Sequence, residues 1–169
     1  MSSIIPLSNV EPALVEELLD RAFGENRASR TAYRIRTGVN WLPSLSFAAL
    51  DQQQMLVGTI QVWPIALFGN DSLPHPLLMI GPVAVVPERQ GEGFGKAMMA
   101  TVLSSLEPSA ALPQFLIGDT AYYGQWGFSS QHTSGWRCPG PWEPERLLLR
   151  CENSAILPSE GTLGPWNMN

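Results

Sequence analysis

The stretch Val85-Val86-Pro87-Glu88-Arg89-Gln90-Gly91-Glu92-Gly93-Phe94-Gly95-Lys96 limits the possible folds of this chain more than any other. Before it lies Leu77–Val86, almost wholly apolar, as expected of a central strand buried on both faces. After it, Phe94–Ser105 carries Met98, Met99, Val102 and Leu106 at helical spacing, an inward stripe. Strand, tight loop and helix in this order predict an α/β chain. Glycines at 91, 93 and 95 leave backbone N–H groups unshielded, and the positive end of the helix they open points at the same spot, so the loop reads as an anion site. Lys96, the chain's only lysine, stands in the first turn and adds charge there. The plainer alternative is a tight strand-to-helix connection with a surface lysine.

Two common phosphate loops do not fit. A dinucleotide fingerprint counted from Gly91 needs glycine at position 96, which is Lys96. A P-loop needs a glycine where Gln90 stands and a hydroxyl where Ala97 stands. What remains is Gln90-x-x-Gly93-x-Gly95 after a strand ending in Val-x-Pro, and at these residues the chain resembles the acetyl-CoA loop of GCN5-related N-acetyltransferases. The resemblance implies that Gln90, Gly91, Glu92, Gly93, Phe94, Gly95 and Lys96 hold the cofactor's pyrophosphate, chiefly through backbone amides.

Composition is compatible with this. A length of 169 residues predicts one domain, 1–169, large enough for a proper core, with no repeat or linker marking a second. Hydrophobic residues at 44% and charged residues at 15% describe an ordinary globular chain. A formal net charge of −5 argues against a broad nucleic-acid or anionic-membrane footprint, since both need an excess of Lys and Arg on one face. Cys138 and Cys151 make no disulfide framework and lack metal-ligand spacing, so no metal is expected and a reducing compartment is. No leader-like N-terminus or transmembrane-length segment is apparent, and the expectation is a cytoplasmic protein.

Along the chain, Ile4–Leu7 reads as a strand, and Ser8-Asn9-Val10-Glu11 as a capping box ahead of a helix that starts at Pro12 and ends near Phe23 before Gly24. Leu14, Val15, Leu18, Leu19 and Ala22 form its apolar face. A second helix is expected over Arg27–Arg36, with Arg27, Arg30 and Arg34 on one face, either solvated or facing an anionic substrate. Leu45–Leu50 and Met55–Ile65 read as a hairpin about Asp51-Gln52-Gln53-Gln54, with Pro64 endangering the end of the second strand. Phe68–Pro76 is expected as loop, and Gly81-Pro82 as a bulge or parting of the next strand. A loop bracketed by Pro108 and Pro113 leads to a strand at Phe115–Gly118, and Asp119 is a plausible cap for a short helix. A last strand is expected near Arg146–Arg150. Leu147–Cys151 is read as an exposed edge on which a second copy could pair, allowing a homodimer.

The segment Gly118-Asp119-Thr120-Ala121-Tyr122-Tyr123-Gly124-Gln125-Trp126-Gly127-Phe128 resembles the Gly-Asp-x-x-Tyr-Tyr-x-x-Phe-Gly-Phe box of YhbS-like acetyltransferases, with Trp126 for the usual Phe. Ala22-Phe23-Gly24, Val57–Pro64 and Pro139-Gly140-Pro141 are similar to that branch in the same order. The resemblance implies the acyl-CoA N-acyltransferase fold, α/β (α+β), with a mixed twisted central sheet of about six to seven strands and helices on both faces. It implies that Val83, Ala84 and Val85 receive the pantetheine arm and that acetyl-CoA is the acyl donor.

The chemistry implied is transfer from a thioester to a primary amine by direct attack, for no Ser or Cys sits in a nucleophile elbow. Such attack needs a neutral amine, a donor for the oxyanion and a proton for the departing thiolate. The resemblance puts the Tyr123 phenol in the last role, against the alternative of a packing aromatic, and suggests the Val85 N–H for the oxyanion. Glu25, Asp119 and His132 are the candidate bases by residue type, with none preferred. Trp41, Trp63, Trp126, Trp136 and Trp142 could line an acceptor pocket but serve equally as core. The acceptor is a small-molecule amine or a protein amino group. The alternatives are a non-catalytic acyl-CoA-binding module and, disfavoured by the acidic balance, an enzyme acting on charged transfer RNA.

Overall fold

The computed structural model describes residues 2–106 and 111–167; Pro108 lies outside the described residues. In chain order the elements are β1 (Ser3–Pro6), α1 (Pro12–Phe23), α2 (Thr31–Ile35), β2 (Phe47–Leu50), β3 (Leu56–Phe68), β4 (Pro74–Val85), α3 (Phe94–Ser104), β5 (Gln114–Ile117), α4 (Thr120–Tyr123), β6 (Gly135–Arg137), β7 (Leu147–Arg150) and β8 (Glu160–Pro165). The fold is α/β with a mixed sheet, in which β1-β2-β3-β4-β5-β7 are successive neighbours, β8 pairs with β3, and β6 pairs with β8. The chain forms two compact units. One comprises Met1–Ala28, Trp41–Val62 and Gly81–Ala111, the other Ser29–Asn40, Trp63–Ile80 and Leu112–Asn169.

In the first unit, β1 runs antiparallel to β2 from Ser3↔Leu50 to Pro6↔Phe47, and β2 antiparallel to β3, with a register shift between Ala49 and Leu50. The turn that joins β2 to β3 is held by Asp51, whose Oδ1 accepts from the N–H groups of Gln53 (2.9 Å) and Met55 (3.0 Å). Helix α1 starts at Pro12, whose missing N–H costs nothing in the first turn, but its cap is Glu11 with no side-chain bond. The expected capping box is therefore absent. Ser8 and Asn9 belong to a 3-10 turn, Leu7–Asn9, which is tied down by Leu7 N–H donating to Ser46 O at 3.0 Å. Val15, Leu18 and Leu19 are buried and Leu14 is exposed, so the apolar face is narrower than its sequence suggests. Helix α3 buries Phe94, Met98, Met99 and Val102, each worth about 1.5–3 kcal/mol of transfer free energy if fully removed from water. Leu106 lies past the helix end and is only half-buried.

In the second unit, β3 continues straight through Pro64 to Phe68, where Ile65–Phe68 pair antiparallel with β8. The long loop expected over Phe68–Pro76 is a tight turn: Gly69 N–H donates to Leu73 O (3.2 Å), and β4 resumes at Pro74. Strand β4 runs on past Gly81-Pro82, but its backbone is irregular there as expected, with Gly81 at φ +138° and a cis Gly81-Pro82 bond, and its ladder with β5 stops short of that point. Its parallel ladder with β5 consists of Leu78↔Gln114 and Met79↔Phe115. Strand β7 runs antiparallel to β5, and β6 parallel to β8. Ile65, Leu67, Leu77, Phe115, Trp136, Leu147 and Leu163 are all 0–1% exposed and form this unit's core. The edge expected at Leu147–Cys151 is not exposed: Leu147–Leu149 are buried, and Leu149 exchanges two backbone bonds with Ser129.

The arginine-rich helix is broken. Arg27–Ser29 is a 3-10 turn and Arg30 caps α2 in extended conformation, so Arg27, Arg30 and Arg34 share no helical face. Arg27 instead pairs with Glu16 (2.7 Å) and Asp20 (3.0 Å) of α1. Arg36 is buried, its guanidinium stacked 4.1 Å from the Tyr33 ring centroid and 4.3 Å from that of Trp63.

Candidate functional site

The first unit carries the glycine loop. Past β4 the chain makes a 3-10 turn, Pro87–Arg89, and enters α3 through Gly93, which caps the helix at φ +90°. That left-handed conformation, shared by Gly91 at φ +85°, is the reason for glycine here: side chains disfavour it, and a Cβ at either position would point into open space. The first intrahelical bond is Ala97 N–H to Gly93 O, 3.0 Å. The N–H groups of Gly91, Glu92, Gly93, Phe94, Gly95 and Lys96 therefore reach no acceptor among the described residues. Consecutive free amides at the positive end of an eleven-residue helix are what an anion with several oxygens requires.

Other predicted residues fall around this loop. Gln90 turns back, its Nε2 donating to Val85 O at 3.3 Å. Val83 and Val85 are half-buried and Ala84 is 1% exposed, all within β4. Lys96 is exposed. Arg21 of α1 reaches both carboxylate oxygens of Glu88 (2.5 and 2.7 Å), and that bond holds the Glu88 carboxyl below its ordinary range.

A network the sequence reading did not single out lies inside the loop. Arg89 donates through Nε and Nη2 to the two oxygens of Glu92 (2.9 and 3.1 Å) and through Nη1 to Asp51 Oδ2 (2.7 Å), with Cζ 5.3 Å from the Phe94 ring centroid. Asp51 is 5% exposed. Its carboxyl is held below the ordinary range, first by the Met55 N–H and then, against the cost of burial, by Arg89. The two carboxylates push the Arg89 guanidinium further above its already high value. The available sequence signal was the opposite charges of Arg89 and Glu92 three positions apart; Asp51 is distant in sequence and gave none.

The second unit carries Tyr123. Asp119 caps α4, its Oδ1 accepting from Ala121 N–H at 3.0 Å, as the sequence suggested, so its carboxylate has a structural task. Tyr123 is half-buried, with its ring edge-on to Tyr122 (4.9 Å) and Phe128 (6.4 Å) and tilted against Trp126 (6.1 Å). Burial raises the pKa of its phenol above the ordinary tyrosine value, the Tyr122 phenol adds to this, and Arg146 partly opposes it. Arg150 braces the box, donating to Trp126 O (2.9 Å) and Gln114 Oε1 (2.7 Å). His132 is tied to Leu157 O (3.2 Å) and stands edge-on to Trp136, a structural setting. Trp136 is core, its Nε1 donating to Pro158 O at 3.1 Å. Glu25 is exposed.

Comparison with known proteins identifies the family. The Acetyltransferase (GNAT) family matches residues 13–112. The uncharacterized N-acetyltransferase YjhQ of Escherichia coli K12 is 29% identical over 115 residues, which cover 68% of this chain and 62% of YjhQ, so this chain spans about three fifths of that relative. The uncharacterized N-acetyltransferase YhbS of the same organism is 24% identical over 129 residues, 75% of this chain and 73% of YhbS. In fold, the crystal structure of Escherichia coli YhbS in complex with CoA superposes with a TM-score of 0.70 at 19% identity, covering 98% of this chain and 89% of that one. A GNAT family acetyltransferase from Brucella melitensis in complex with acetyl-CoA gives 0.56 at 22% identity, covering 90% and 97%. With the family matched across more than half its length, the chain belongs to the GNAT acetyltransferases and is YhbS-like.

Proposed function

We propose that this chain, acting as one domain over 1–169, is an N-acetyltransferase that moves an acetyl group from acetyl-CoA to an amine by direct attack. The observation that carries this reading is the run of unpaired amides from Gly91 to Lys96 at the head of α3. The site's chemistry fits the donor, since these amides and the open Cβ directions of Gly91 and Gly93 suit the close approach of a diphosphate. Crystal structures of two proteins of like fold, described as complexes with CoA and with acetyl-CoA, support the same choice.

When bound, acetyl-CoA supplies an activated acyl carbon and a thiolate that can leave. The roles of this chain follow from its own groups. The loop amides and Lys96 hold the diphosphate, and Val83, Ala84 and Val85 offer backbone groups to the amide-bearing arm. The Val85 N–H is the proposed donor to the oxygen that gains charge. Tyr123 holds a proton at its phenol oxygen for the sulfur that leaves, a role favoured by the burial that keeps the phenol neutral. The acceptor is a small-molecule amine or a protein amino group.

A thiol-release screen with acetyl-CoA against amines and peptides, run beside thermal unfolding, tests the proposal. Acetyl-CoA at about 100 times its Kd should stabilise the protein by about 2.7 kcal/mol. An unchanged thermal midpoint would mean that the loop does not hold the donor. Binding without thiol release from any acceptor would favour a non-catalytic acyl-CoA-binding module.

A further inference from the structure

A loop that receives a diphosphate is an unfavourable place for a carboxylate, yet Glu92 stands between Gly91 and Gly93 in the middle of the free amides. Its charge is countered within the same loop. The Arg89 fork meets both Glu92 oxygens, at 2.9 and 3.1 Å. This pair is not a loose surface contact, for the remaining arm of Arg89 is pinned at 2.7 Å to Asp51, which is 5% exposed and itself fixed by the N–H groups of Gln53 and Met55. The turn that joins β2 to β3 thus anchors a guanidinium inside the β4–α3 loop.

Resting on the reading of this loop as the diphosphate holder, we propose that Arg89 is a positioning residue for the acyl donor. Docked on Asp51, it pairs with Glu92, offsets part of that charge and holds the side chain aside, so that the amides of 91–96 meet the diphosphate with the carboxylate engaged elsewhere. Arg89 acts here through Glu92, with three of its five N–H donors already spent on carboxylates. The arrangement also explains how a loop with a single lysine can carry a glutamate and still accept an anion.

The test is the Kd of CoA, measured by titration calorimetry in low and high salt, for the wild-type protein, Arg89→Gln, Glu92→Gln and the double variant. Arg89→Gln leaves Glu92 uncompensated and should weaken binding by about tenfold, the scale of one like charge several ångströms away at a protein surface. High salt should shrink that loss. Glu92→Gln should bind as tightly as wild type or tighter, and the double variant should recover to within about threefold of wild type, because the repulsion is gone although the Arg89 contacts are not restored. Arg89→Gln binding like wild type, or a double variant as weak as Arg89→Gln, would overturn the proposal while leaving the loop as the donor site. A wild-type protein that does not bind CoA would overturn both. Should Arg89→Gln fail to fold, Glu92→Gln decides alone: a tenfold loss on removing that carboxylate contradicts the assigned role.

Discussion

Gly118 shows how one residue's size is set by its neighbour. A Cβ there would stand 2.5 Å from Tyr123 Cε2 and 2.7 Å from Cδ2, so the ring the family box implicates in catalysis rests on a bare backbone. Gly118→Ala must move that ring and should cost about 1–3 kcal/mol, read as a lowered midpoint in denaturant, with acetyl transfer falling more than CoA affinity. The phenol has its own signature. Burial raises its pKa, so above the ordinary tyrosine range the unfolded chain loses this proton first and stability falls with rising pH until the folded phenol ionises too. Tyr123→Phe should flatten that alkaline decline, and the difference in phenolate absorbance between the two proteins should titrate above the ordinary tyrosine range. If Tyr123→Phe leaves turnover unchanged, the proton-donor role is lost while the packing role stands. Asp119 was legible as a cap because capping is a local bond. The role of Arg89 was not, because its anchor lies 38 positions away.

At the scale of elements, the β4–loop–α3 unit carries the proposed donor loop, and Gly93 is its most exacting point. Since a Cβ there would meet no neighbour within 4 Å, Gly93→Ala tests backbone conformation alone. The left-handed cap at φ +90° should make it lose about 1–2 kcal/mol of stability and, with the amides turned away, the thermal shift by CoA. A retained shift would show that the loop's backbone geometry is not what holds the ligand. Strands β3 and β4 were legible from their apolar runs, yet both proved longer than expected. Pro64 does not end β3, because the pairing beyond it belongs to β8. The short strands β6 and β8 were missed for the complementary reason: Gly135–Arg137 and Glu160–Pro165 have little apolar periodicity and become strands by pairing with each other and with β3. Among the described residues they bring the sheet to eight strands where about six to seven were expected.

Across the whole molecule, each compact unit draws on three separated segments, and β3 and β4 each contribute residues to both. A fragment ending at Ala111 is therefore expected not to fold as a soluble monomer, since Ile65, Ala66, Leu67 and Leu77, all 0% exposed, would lose the partners supplied by β5 and β8. Circular dichroism and amide exchange of the fragment check this, and protected amides in β3 would contradict it. Local chemistry was enough for the sequence to determine a helix opened at Pro12 and closed at Gly24, a turn about Asp51, a glycine loop between strand and helix, and the cap at Asp119, because each depends on residues a few positions apart. Tertiary structure alone decided that Ser8 would not cap α1, that the arginine run would split and spend Arg27 on α1, that a Gly-Pro-rich tail would supply a strand to β3, and that Asp51 would anchor Arg89. Those outcomes depend on which distant groups meet once the chain closes, and neither periodicity nor propensity carries that information.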